Sequence, residues 1–252
     1  MMVAFGVQNR LKLNRISGLD DLNINFLAVV WLIICILILS ACSRPPSDMV
    51  MIESGEFVMG SNTKGSNENP ERRVYIDDFF IDKSEVTNEA YLRFVKQIKH
   101  EEPKDWQVYG YMEDKKNHPV VFVSFDDASG YCKWSGKRLP TEEEWEKAAR
   151  GTIGYIYPWG NEVETGRANT SIEDMVGTTK VGMYEGGRSP YGLYDMAGNV
   201  WEWTSSTYIG KEKVVKGGSW GLSHKLARTF IRIGYEPTTK TNNIGFRCAK
   251  DK

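Results

Sequence analysis

The chain has 252 residues, with 32 lysines and arginines against 33 aspartates and glutamates, so it is nearly electroneutral at pH 7. That length suits one large domain or two small ones. With no basic stripe or block, the charge balance gives no reason to expect a nucleic acid as partner.

The N-terminus differs in composition from everything after it. Arg10, Lys12 and Arg15 precede an uncharged run from Phe26 to Ala41, which ends in Leu39-Ser40-Ala41-Cys42. The apolar run is shorter than the roughly 18 residues expected of a spanning helix. A basic flank, an apolar core and small residues before a cysteine resemble a bacterial lipoprotein signal, in which Cys42 would be lipidated and become the mature N-terminus. Residues 1–41 are therefore set apart as a signal segment. Residues 42–48 are the lipidated cysteine with a short linker, and 49–252 form one domain. The resemblance implies a lipid-anchored protein of the bacterial cell envelope, facing the periplasm or the exterior. The linker reaches at most about 20 Å, so the domain would lie near the membrane surface.

Strand candidates come early: Met51-Ile52, Glu56 to Gly60, and Val74 to Ile81. Thr87 then offers an N-cap, with Ala90, Tyr91, Phe94 and Val95 in helical register behind it. Ser124-Phe125-Asp126-Asp127 has the acidic form of a capping box and opens a helix carrying Tyr131, Cys132 and Trp134. Thr141 and Glu144 form a second box, followed by Trp145, Ala148 and Ala149 on one face. Both helices are expected to end near glycine, at Gly136 and Gly151. Past Arg150 the sequence turns to glycine and aromatic residues without periodicity. Lys213 to Lys216 and Ile244 to Ala249 are the remaining strand candidates. So little regular structure needs compensation, which the chain's tryptophans, all but Trp31 of them in the domain, can provide by sharing a core.

Residue chemistry alone names no reagent. A two-His, one-carboxylate iron site would need two of the three histidines, His100, His118 and His224, to converge, and their contexts give no reason for it. Gly217-Gly218-Ser219-Trp220-Gly221 spells G-x-S-x-G, but Ser219 has no evident His/Asp partners for a hydrolase triad. Arg228, Arg232 and Arg247 either form a cationic groove for a carboxylate or sulfate, or pair with acids such as those of Glu142 to Glu146.

A succession of motifs spans nearly the whole mature chain. It includes Gly55-Glu56-Phe57-Val58-Met59-Gly60, Tyr131-Cys132-x-Trp134, Lys137-Arg138-Leu139-Pro140-Thr141-Glu142, Pro158-Trp159-Gly160, and Tyr191 to Trp203. It closes on Lys216-Gly217-Gly218-Ser219-Trp220 and Gly245-Phe246-Arg247-Cys248. In this order they resemble the formylglycine-generating enzyme, or sulfatase-modifying factor, family. The resemblance implies an irregular α+β fold of low regular secondary structure, related to C-type-lectin-like domains.

It also implies a set of site residues. In the family two reactive cysteines follow the Gly-Gly-Ser-aromatic turn, and here the matching positions hold Leu222 and Ala227. Since only a thiolate can bind the copper and attack in that chemistry, the fold is expected to persist without the reaction. Copper and iron are accordingly not expected. Ser219, Trp220, His224 and Arg228 are the groove candidates that remain. A structural Ca²⁺ would be held by Asp195, the carbonyls of Gly198 and Val200, and Glu202, because calcium takes hard oxygens from carboxylates and carbonyls in a curled loop. A weaker second set is Asn169, Thr170, Asp174 and Val176. Cys132 and Cys248 match a family disulfide. The expected function is an envelope binding or accessory module for a protein, peptide or glycan. The alternative is a metal-dependent extracytoplasmic oxidoreductase, with formylglycine generation last.

Overall fold

The structure is a computed structural model, and the residues it describes are 48–62, 70–173 and 176–252. The proposed signal segment and Cys42 lie outside them. Among the described residues, nine short strands form three small sheets rather than one large one, and four α-helices accompany them. β1 (Met49–Ile52), β4 (Phe79–Asp82) and β9 (Ala249–Asp251) form an antiparallel sheet in the order β1-β4-β9, which places the two ends of the described chain on either side of β4. β2 (Gly55–Met59) and β3 (Arg72–Ile76) make a hairpin. β7 (Ile233–Tyr235), β6 (Lys213–Lys216), β5 (Trp201–Thr207) and β8 (Ile244–Gly245) form the third sheet in that order, with β5 and β8 parallel.

The helices begin where side-chain caps allow. α1 (Asn88–Ile98) starts after Thr87, whose hydroxyl accepts the Ala90 N–H. α2 (Lys104–Tyr109) is short and lacks a side-chain cap. In α3 (Phe125–Trp134) and α4 (Glu142–Arg150) the capping boxes are complete in both directions, Ser124 with Asp127 and Thr141 with Glu144. α3 is capped at Ser135, one residue before Gly136, and α4 at Gly151, whose positive φ of 67° suits glycine.

The segment read as one strand from Val74 to Ile81 is two, β3 and β4, which belong to different sheets. β5 and β7 give no sequence signal of their own. β5 alternates Trp201 and Trp203 with Glu202 and Thr204, but all four are buried, so its polar side faces the interior rather than solvent.

Two hydrophobic clusters hold these pieces. One gathers Tyr91, Phe94, Tyr131, Trp201, Trp203 and Phe246; Tyr91 stacks on Tyr131 at 5.7 Å and Phe246 meets Tyr131 edge-on at 5.4 Å. The other packs Trp145, Ala148 and Ala149 of α4 against Ile52, Phe79, Ile81, Leu193 and Met196. Cys132 on α3 and Cys248 before β9 are joined by a disulfide, with Cα atoms 5.6 Å apart, inside the first cluster.

α4 is buried nearly all round, charges included. Glu146 accepts from the Gly60 N–H at 2.6 Å, from Arg150 at 3.0 Å and from Lys216 at 2.8 Å. Lys147 donates to the Glu53 and Gly55 carbonyls. Buried charges stand only when so partnered, and these partners fix the β2-β3 hairpin and β6 to the helix.

Candidate functional site

The Gly-Gly-Ser turn leaves β6 with φ of 98° at Gly217 and 77° at Gly218. A Cβ at Gly218 would stand 2.8 Å from the Ala227 Cα, so only glycine lets this turn lie on the 224–227 segment. Ser219 is buried, and its hydroxyl accepts from Asn243 Nδ2 at 3.3 Å. Leu222 packs on the first hydrophobic cluster. Ala227 is buried with Ala168 and Ala197 against Trp159. The side chains of Leu222 and Ala227 are thus absorbed into packing.

The four groove candidates do not converge. Trp220 hangs from Asn199, whose carbonyl accepts its N–H at 2.9 Å, and it lines a pocket of about 350 Å³ beside α1 and α2. His224 and Arg228 line a different pocket, of about 480 Å³, with Arg150, Asn161 and Phe230. Arg228 donates from Nε to the Lys225 carbonyl at 2.8 Å and rides over Phe230. The three arginines considered together for an anion groove are dispersed. Arg232 Nε lies 2.7 Å from Glu142 Oε1, an ion contact without good hydrogen-bond alignment, and Arg247 is sealed against Glu202. Arg232 and Arg247 thus take the pairing with acids, Arg232 with Glu142 of α4 and Arg247 with Glu202. The histidines are also apart: His100 contacts Asp127 at 2.9 Å, His118 contacts Thr178 at 3.0 Å, and His224 stands in the second pocket.

The loop proposed for calcium is tightly wound, with positive φ at Asp195 (55°), Gly198 (77°) and Asn199 (58°). A Cβ on Gly198 would come 2.3 Å from the Asn169 carbonyl oxygen, so glycine is obligatory where the two loops meet. Asp195 accepts the Gly182 N–H at 2.6 Å. Glu202 has both oxygens engaged: Arg247 grips it through Nε and an Nη, each at 2.7 Å, and Trp145 donates at 2.7 Å. Two residues not foreseen for this site complete it. Glu85 is buried beside Asp195, accepts from Asn199 Nδ2 at 3.0 Å and, when protonated, donates to the Asp195 carboxylate. Arg247 is the other.

Three carboxylates therefore share one guanidinium. Burial, and then the neighbouring charges of Asp195 and Glu202, hold the Glu85 carboxyl well above the usual carboxylate range; burial also raises Asp195. Burial opposes the charge on Arg247, but Glu202 prevails and its pKa is raised. Hard oxygens short of positive charge suit Ca²⁺ in kind. Among the described residues, however, no three acidic, histidine or cysteine side chains converge as ligands, and Glu202 is committed to Arg247. Backbone carbonyls would have to supply the balance. In the second set, Asn169 Oδ1 is buried without a partner, while the Thr170 carbonyl already accepts from Glu173; Asp174 lies outside the described residues, and the Val176 side chain is 96% exposed.

Comparison with known proteins settles the lineage. The sulfatase-modifying factor enzyme 1-like domain family matches residues 37–252. The chain belongs to this family. An inactive Cα-formylglycine-generating enzyme 2 from Mus musculus is 34% identical over 282 aligned positions, covering 88% of this chain and 91% of that protein. The formylglycine-generating enzyme of Streptomyces coelicolor is 31% identical, covering 84% and 92%. The serine/threonine-protein kinase pkn1 of Chlamydia pneumoniae is 36% identical over 81% of this chain, but the match covers only 38% of the kinase. Among solved structures, PvdO from Pseudomonas aeruginosa superposes with a TM-score of 0.70 at 24% identity, covering 81% of this chain and 94% of PvdO. The family's irregular α+β fold is thus the fold of this chain.

Proposed function

We propose that this family member is a lipid-anchored envelope domain that binds a protein, peptide or glycan instead of oxidising a cysteine. One observation carries the reading: where the family's chemistry needs two thiols, Leu222 and Ala227 are packed against the hydrophobic clusters, and the two cysteines among the described residues are bonded to each other. A thiol held in a disulfide supplies no thiolate nucleophile or soft metal ligand. Among the described residues of the turn, Ser219 is buried against Asn243 and His224 stands in a separate pocket, so neither takes the place of the thiols. The relative named inactive supports the same reading.

The anchor is assigned to Cys42 on the sequence of the preceding segment, and among the described residues no helix is long and apolar enough to cross a membrane. The role proposed for Ca²⁺ is structural, at the 195–202 loop, with Glu85 and Asp195 as its carboxylates. Incubation of the purified protein with copper and a cysteine-containing sulfatase peptide should leave the peptide unchanged by mass spectrometry. Formation of formylglycine would reject the proposal. Labelling with a radioactive fatty acid in cells should mark the wild type and not Cys42→Ser; equal labelling would remove the anchor.

A further inference from the structure

The cavity of about 480 Å³ opens where the end of α4, the loop after it and the 224–230 segment meet, and Arg150, Ile156, Val163, Lys225, Arg228 and Phe230 line it. Phe230 is buried and carries two guanidinium groups, Arg150 at 5.3 Å and Arg228 at 5.1 Å from its ring. Contacts of this kind hold a cation in place without using its N–H donors. Arg150 is 5% exposed and firmly held: Nη1 donates to the Val58 and Gly60 carbonyls and to Glu146, and Nη2 donates to the Gly154 carbonyl. Its Nε is buried with no hydrogen-bond partner. Its charge is also in surplus. Of the buried acids on that side of α4, Glu142 is met by Arg232 at 2.7 Å and Glu146 by Lys216 at 2.8 Å, so Arg150 is a third cation beside two carboxylates. A buried charge calls for an opposite one, and a buried donor for an acceptor.

We propose that this cavity binds the carboxylate of a small amphiphilic molecule. Guanidinium groups match a carboxylate both in charge and in the geometry of their donors, and Lys225 adds a further cation to the lining. Ile156, Phe230 and the 44% exposed Val163 offer apolar surface to the rest of the molecule. Small-molecule sites have volumes of about 300 to 1,000 Å³, so this cavity suits a molecule with a body rather than an isolated ion. Glu71 and Glu162 also line it, and their charges oppose a second negative charge on the ligand. That favours a carboxylate over a phosphate monoester, which is close to a dianion at neutral pH. The inference concerns a small molecule and stands apart from the binding-module reading, so formylglycine formation would leave it intact.

The test titrates the purified protein with hexanoate by calorimetry, with hexanamide, acetate and hexyl phosphate as comparisons. Hexanoate should bind saturably and at least about tenfold more tightly than the neutral amide or than acetate, which lacks the chain. The double variant Lys225→Gln, Arg228→Gln should lose at least about tenfold in hexanoate affinity, because two of the cations are gone. Absence of hexanoate binding, equal binding of hexanamide, or full affinity in the folded double variant would overturn the inference. Acetate binding as tightly as hexanoate would overturn the amphiphile, and hexyl phosphate binding more tightly than hexanoate would overturn the carboxylate. Should the double variant fail to fold, Val163→Glu decides. At that half-exposed position it adds a negative charge to the lining and should weaken hexanoate by at least about tenfold, and unchanged affinity would refute the site.

Discussion

Replacing Arg247 with methionine probes the one cation that serves the buried acid cluster. Arg247 and Glu202 are both 0% exposed, and the guanidinium also donates to the Tyr194 carbonyl at 2.9 Å. Methionine keeps much of the volume and removes every donor. Glu202 would keep only the Trp145 N–H, and Glu85, Asp195 and Glu202 would face one another without a counter-charge. Breaking a buried pair by removing one partner costs about 3 to 5 kcal/mol, because the remaining charge is left uncompensated. For a domain of this size that loss lowers Tm by about 6 to 20 °C. The double variant Arg247→Met, Glu202→Gln should recover part of the loss, since a neutral amide can still accept from Trp145. Urea unfolding followed by tryptophan fluorescence reads both. If Arg247→Met costs less than about 1 kcal/mol, the cluster does not depend on this pair and the charge argument fails.

Three further outcomes follow from the same structure. Gly198→Ala should cost more than about 2 kcal/mol by thermal denaturation, because the residue has φ of 77° and its Cβ would collide with the Asn169 carbonyl; a neutral effect would mean the two loops part easily. Reducing Cys132–Cys248, which are 116 residues apart, should destabilise by about 4 to 5 kcal/mol in the chain-entropy model, and an unchanged midpoint in dithiothreitol would contradict it. Glu85 and Asp195 have raised folded-state pKa values, so the native state binds more protons than the unfolded chain above the ordinary carboxylate range. Without divalent cations, stability should therefore fall as pH rises from about 5 toward neutrality, and calcium should offset the fall while EDTA restores it. A melting temperature indifferent to EDTA at neutral pH would remove the structural calcium.

What the sequence determined by itself was local or carried by motif order. The caps at Thr87, Ser124 and Thr141 begin their helices as read, because capping is satisfied within a few residues. The family and its irregular α+β fold were legible in the succession of motifs from Gly55 to Cys248. Tertiary structure alone divided the 74–81 segment between two sheets and made a strand of Trp201–Thr207, since pairing partners far along the chain set those choices. It also brought Glu85, 117 residues before Glu202, into the acid cluster, where burial rather than sequence context gives it its chemistry. The space that α1, α2 and the Trp220 loop enclose likewise arises from their packing, which no local pattern encodes.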